Sequence, residues 1–72
     1  MAKIHPFSIK FSKRLKQERL KRNMSQERLG FKAGVSRNFI SMIERGERNL
    51  TITKLHDIAK ALEMEAWELL RN

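Results

Sequence analysis

Arg37 and Asn38 stand side by side, and Ser41 and Met42 follow one helical turn later. These side chains have the chemistry needed to read the edges of base pairs. A guanidinium pairs two-pronged with O6 and N7 of guanine, and a carboxamide does the same with N6 and N7 of adenine. A hydroxyl serves either kind of base, and a thioether suits the methyl group of thymine or the packing beneath a helix. Ser36 and Phe39 flank the group, and Gln26 stands upstream at a helix start, where its amide and unpaired backbone N–H groups suit a phosphate. The plain alternative is a solvated helix start, so these residues carry weight only if the elements around them form a scaffold that presents them.

The chain reads as five short helices. From about Ser8 to Arg22 it is rich in helix formers, with Phe11 and Leu15 on one face, and Asn23 follows as a residue that tolerates the left-handed turn closing a helix. Ser25 is an N-cap for a helix over 26–33, and Ser36 for one over 37–45 that Gly46 ends. Thr51 caps a fourth, where Leu55, Ile58, Ala59 and Leu62 form an amphipathic stripe, and a fifth covers 65–70 with Trp67 and Leu70. No segment alternates with period two over strand length, so the fold class is all-α. Residues 1–7 show little periodicity and read as a flexible arm ahead of one domain over 8–72.

Residues 26–45 meet the demands of a helix-turn-helix, two helices crossing steeply through a turn of about three or four residues. A small residue must sit where the first helix meets the second, and Gly30 does. The turn needs a residue without Cβ strain, which Gly34 supplies, and Leu29, Ala33, Val35, Ile40 and Ile43 occupy the positions that seal both helices onto a core. In the DNA-binding form of this motif the start of the second helix enters the major groove. That start is the segment carrying Arg37, Asn38, Ser41 and Met42.

At these residues the chain resembles the phage repressor/Cro-like helix-turn-helix family over about residues 9–70. The matching phrases are Met24-Ser25-Gln26, Ala33-Gly34-Val35-Ser36-Arg37, Ile40-Ser41-Met42-Ile43-Glu44-Arg45-Gly46 and Leu55-His56-Asp57-Ile58-Ala59-Lys60-Ala61-Leu62. The run from Ile43 to Thr51 is most similar to the controller proteins of restriction–modification systems. The resemblance implies a compact five-helix, lambda-repressor-like domain acting as a homodimer that binds palindromic operators in double-stranded DNA to activate and repress, with RNA polymerase as a partner. It matches Arg37, Asn38, Ser41 and Arg48 to DNA-contacting positions and places Gln26, Phe39 and Asn49 nearer the backbone; by side-chain type and place on the helix, Met42 is expected to join the base contacts and Ser36 and Arg45 the backbone contacts. It also implies a salt bridge between Arg19 and Glu44, locking the first helix to the end of the reading helix. Asn23, Arg28, Glu18 and Phe31 depart from the family's usual glycine, acid, apolar and polar residues at their positions.

The net charge of +8 is unevenly placed. Residues 1–36 hold ten basic and two acidic side chains, whereas residues 37–72 hold six of each. A polyanion on one side suits this asymmetry, as does an ordinary solvated basic face. The dimer surface is then expected on the acidic C-terminal side, at Met64, Trp67 and Leu70 with Leu50 and Ile52. Trp67 suits a dimer face and a cap over a small core alike.

Other functions fit poorly. The chain has no cysteine, so no thiolate metal site, disulfide or cysteine nucleophile is available. It contains no phosphate-binding glycine loop, and neither His5 nor His56 has a partner at ligand or catalytic spacing. The expectation is a non-enzyme without metal, cofactor or small-molecule ligand. Aromatic residues are too few for an RNA-stacking platform. No apolar run approaches the ~20 residues of a membrane span, so no membrane partner is expected, and the location is expected to be cytoplasmic. Two other functions share these features: a phage or plasmid Cro-type repressor, and an antitoxin that binds a toxin through its C-terminal face.

Overall fold

The computed structural model describes residues 6–71, with side chains from residue 9 onward. Five helices follow one another: α1 (Pro6–Lys21), α2 (Gln26–Ala33), α3 (Arg37–Glu44), α4 (Ile52–Ala61) and α5 (Ala66–Leu70). The described residues contain no strand. Helix α1 starts at Pro6, so residues 6 and 7 belong to the helix and not to the expected arm. Proline suits a first helical turn, where its fixed φ is helical and its missing N–H has no partner to lose. The rest of that arm lies outside the described residues.

The helix starts follow their caps. The hydroxyls of Ser25, Ser36 and Thr51 accept from the backbone N–H groups of Arg28, Phe39 and Lys54 at 2.9, 3.0 and 3.1 Å. Glu65 caps α5 through a reciprocal box with Glu68, which shifts that helix one residue later than expected. Arg45 is likewise the C-cap of α3 and not its last helical residue.

The ends of α1, α2, α3 and α4 share a device. Each is followed by a residue of positive φ: Asn23 (53°), Gly34 (73°), Gly46 (72°) and Glu63 (58°). Each reversal returns a backbone N–H to a carbonyl five residues earlier, as in Met24 to Arg19, Val35 to Gly30, Glu47 to Met42 and Met64 to Ala59. The carbonyls at the helix ends are satisfied in this way and the connections stay short.

Leu15, Leu29, Ile40, Ile43, Ile58, Leu62 and Leu69 are the largest fully buried side chains, drawn from all five helices. Burying each contributes roughly 1.5–3 kcal/mol. Helix α2 packs on α3 and α4, while α1 packs on α3 and α5. Gly30 is where α2 meets the following turn. A Cβ there would lie 2.8 Å from the Val35 carbonyl oxygen and 3.2 Å from the Ser36 carbonyl group, so no side chain fits.

Two polar clusters bind α1 into the fold. The Ser12 hydroxyl donates to the Ile43 carbonyl at 2.6 Å, tying α1 to α3. Glu18 is buried among cations, with Arg22 at 2.8 Å, Arg14 at 3.0 Å and Lys21 at 3.3 Å. Arg22 also donates to the Leu62 carbonyl at 2.8 Å, fastening the end of α1 to the end of α4. The Glu18 carboxyl is held below its ordinary range, chiefly by the Arg22 hydrogen bond, with burial opposing and Lys21 and Arg14 assisting.

Candidate nucleic-acid interface

Helix α3 buries Ile40 and Ile43 and turns its other side outward. Arg37 and Asn38 are exposed in its first turn, with Ser41 and Met42 half-buried one turn on. Arg37 makes no hydrogen bond or ion pair among the described residues. The Asn38 amide lies against Met42, Nδ2 to Sδ at 3.6 Å, a weak contact that leaves the carboxamide available for stronger partners. The Ser36 hydroxyl accepts the N-cap hydrogen bond and still has its O–H to donate.

At the far end of α3, Arg45 is held from two sides. Its Nη1 donates to the Ser41 hydroxyl at 2.6 Å and its Nε to Glu47 at 2.9 Å. With its oxygen accepting from Arg45, Ser41 keeps its O–H as a donor. Glu47 is absent from the residues singled out by sequence. Opposite charges on either side of Gly46 are its only signal, because the pairing depends on how the turn reverses.

The C-terminal end of α3 is clamped. Arg19 and Glu44 form a two-pronged pair, Nε to Oε2 at 2.6 Å and Nη2 to Oε1 at 3.0 Å, with both side chains nearly inaccessible. A third donor of Arg19, Nη1, reaches the Met24 carbonyl at 2.7 Å in the turn before α2. Gln26 joins this cluster by donating from Nε2 to Glu44 Oε1 at 3.1 Å. Its amide therefore braces α2 against α3, leaving one N–H and the carbonyl oxygen for a partner outside. The residues expected at the interface are thus brought together around α3, with Gln26 half-buried beside it. Arg48 and Asn49 are exposed on the loop between α3 and α4.

Arg48 is not loose on that loop. Its guanidinium carbon lies 5.1 Å from the centroid of the Phe39 ring, over the start of α3.

The residues expected at a dimer face are spread over the opposite elements. Ile52, Trp67 and Leu70 are exposed, whereas Leu50 and Met64 are half-buried and pack against the core from its edge. Leu50, Ile52 and Leu70 share an apolar groove with Phe11, Ile43 and Leu55, which Arg48 and Asn49 also line, whereas Met64 and Trp67 lie outside it. Part of the basic surplus of the first half lies beside α5. Lys10, Lys13 and Arg14 border a cleft shared with Leu69, Leu70 and Arg71, on the side of α1 that meets α5. Basic and acidic halves of the sequence thus mix in space, since α1 and α5 are neighbours.

A helix-turn-helix family model matches residues 15–66 of the chain. Control protein C.BamHI from Bacillus amyloliquefaciens is 44% identical over 61 residues, covering 83% of this chain and 75% of that protein. Control protein C.SmaI from Serratia marcescens is 44% identical over 48 residues, covering 67% and 57%. Among solved structures, the restriction-modification controller protein C.AhdI from Aeromonas hydrophila has a TM-score of 0.88 at 35% identity, covering 90% of this chain and 98% of that one. The restriction-modification controller protein C.Esp1396I, solved as a tetramer in complex with its natural 35 base-pair operator, has a TM-score of 0.84 at 40% identity, covering 92% and 91%. The chain belongs to the helix-turn-helix family and, within it, is similar to the controller proteins of restriction–modification systems.

Proposed function

We propose that this protein is a sequence-specific, homodimeric DNA-binding transcription regulator of the restriction–modification controller kind. It acts in the cytoplasm, binding palindromic operators to activate and repress, with RNA polymerase as the partner that activation requires. The observation that carries this reading is the exposed side of α3. Arg37, Asn38, Ser41 and Met42 share it, on a helix fixed by the buried Arg19–Glu44 pair. Groups meant to read bases must be held in position before DNA arrives, and that clamp holds them. A homodimer sets two such helices about 34 Å apart, one turn of DNA, so each enters a successive major groove. Arg45, Asn49, Ser36 and Gln26 supply donors toward the sugar–phosphate backbone.

Selection of bound sequences from a random DNA pool by the purified protein tests this reading. The expected product is a paired motif with two-fold symmetry and one-turn spacing. Replacing Arg37 by Ala should cost about 1–3 kcal/mol at its own base pair and relax the choice there alone. With three or more phosphates held per protomer, affinity should fall about 10³-fold or more between ~50 and ~200 mM salt. A pool without enrichment, bound only through salt-sensitive contacts, removes sequence-specific regulation.

A further inference from the structure

Phe39 has no donor left for a phosphate. Its side chain carries none, and its backbone N–H already donates to the Ser36 hydroxyl at 3.0 Å. Its ring is instead half-buried, packed against the edge of the core on one side. On the other side stands Arg48, whose guanidinium carbon is 5.1 Å from the ring centroid. The loop delivers it there through the turn after α3, where the N–H groups of Gly46 and Glu47 return to the carbonyls of Ile43 and Met42 at 3.0 and 2.9 Å.

Two other cation–ring pairs occur in the described residues, Arg28 with Phe31 at 5.7 Å and Arg71 with Trp67 at 5.9 Å. In both of those the partners are close neighbours in sequence and the ring is exposed, 77% for Phe31 and 59% for Trp67. The Phe39–Arg48 pair differs in joining the reading helix to a separate loop and in using a ring fixed by the core. Arg48 makes no ion pair or hydrogen bond among the described residues, so the stack is the contact that orients its head group. A guanidinium held over a ring by its cationic carbon keeps its N–H donors free of other partners, as needed to meet two acceptors of one base.

We propose that Phe39 is a positioning residue for base reading: it stacks Arg48 over the start of α3, so that Arg48 reads a base edge with two acceptors, such as O6 and N7 of guanine. This rests on the reading of α3 as the DNA-reading helix, and it assigns Phe39 a role exercised through Arg48 and not through the phosphate backbone. The exposed-site strength of such a stack corresponds to about a two- to fivefold effect per half-site.

The test compares wild type, Phe39→Leu, Phe39→Tyr, Arg48→Ala and the Phe39→Leu/Arg48→Ala double variant. Each is assayed by random-pool selection and by competition on single-base-pair variants of the enriched DNA, with circular dichroism and thermal melting to verify folding. Arg48→Ala is expected to relax one base pair per half-site. Phe39→Leu should relax that same base pair by about two- to fivefold and add nothing in the Arg48→Ala background. Phe39→Tyr, which keeps the ring, should retain the preference. Uniform weakening by Phe39→Leu on all sequences, or its full additional loss in the Arg48→Ala background, overturns the proposal, because packing or backbone contact would act in that way. No base pair relaxed by Arg48→Ala overturns it too, while relaxation by Arg37→Ala at its own base pair leaves the DNA-reading function standing. A wild-type pool without any motif removes both.

Discussion

At the scale of single residues, burial decides what a charge contributes. Arg19 and Glu44 are removed from solvent together and share two hydrogen bonds, so truncating one strands the other. Arg19→Ala should therefore lower unfolding free energy by about 3–5 kcal/mol, measured by urea denaturation, whereas replacing both partners with apolar residues of similar volume should cost far less. A loss below about 1 kcal/mol for Arg19→Ala would mean the pair behaves as an exposed one. Glu18 makes a prediction in pH. Its carboxyl is held below the ordinary range, with the Arg22 hydrogen bond the leading cause. In the unfolded chain a glutamate titrates near 4.3, so the folded state binds this proton more weakly than the unfolded state. The resulting stability is full above about pH 4.3 and disappears as pH falls through the lower folded value. Thermal melts across acidic pH should show Glu18→Gln less stable than wild type near neutrality, with the gap closing as the solution is acidified. A gap independent of pH would assign the effect of Glu18 to packing.

At the scale of elements, the turns decide where helices stop, and two of them make opposite predictions. Gly30→Ala places a Cβ 2.8 Å from a backbone carbonyl oxygen that cannot swing aside. It should destabilise the fold by about 1–3 kcal/mol, like other overpacked sites. Glu63 occupies the left-handed region with φ of 58° at the end of α4, where a side chain is unfavourable. Glu63→Gly should accordingly stabilise by about 1 kcal/mol, read from the same denaturation curves. These two positions also mark what could be read in sequence. Ser25, Ser36 and Thr51 announced their helices because a capping hydroxyl acts within one turn, and Gly34 and Gly46 announced their turns because glycine is the residue those φ values favour. Glu63 gave no such signal, since the reversal there is imposed by α5 packing on α4 despite the residue. Glu18 stood out only by occupying a usually apolar position; its basic neighbours one turn away read as a solvated face until the end of α4 supplies the Leu62 carbonyl that holds Arg22. In the interface, the types and spacing on α3 were legible from the helical period. Of the constraints on them, Arg45 on Ser41 follows the same four-residue spacing, whereas Glu47 on Arg45 and Arg48 on Phe39 depend on the path of a loop that no periodicity describes.

At the scale of the whole molecule, Ile52, Trp67 and Leu70 leave apolar side chains uncovered on α4 and α5. A chain of this length has a modest core, and an operator with two-fold symmetry requires a protein with two-fold symmetry. Ile52 is 75% exposed beside an apolar groove, and Trp67 is 59% exposed on α5. In an isologous interface one patch meets its own copy, so each substitution acts twice. Ile52→Glu should keep the circular dichroism of wild type, because the side chain supports little of the protomer's own core. If the proposed homodimer forms through this surface, the variant should sediment as a monomer at concentrations where wild type pairs, and lose about 10²–10⁴-fold in operator affinity as the two half-sites cease to be linked. Trp67 is the sole tryptophan of the chain, which makes it an internal reporter of the same event. If α5 belongs to the interface, its emission should shift to the blue as concentration is raised through the dimerisation range, and Ile52→Glu should abolish the shift. A dimer that forms with Trp67 emission unchanged places the two-fold axis nearer the α3–α4 loop and leaves Trp67 exposed outside the interface. A monomer persisting on a symmetric operator would instead require the two copies to meet only through DNA, and binding to isolated half-sites would then match binding to the paired site.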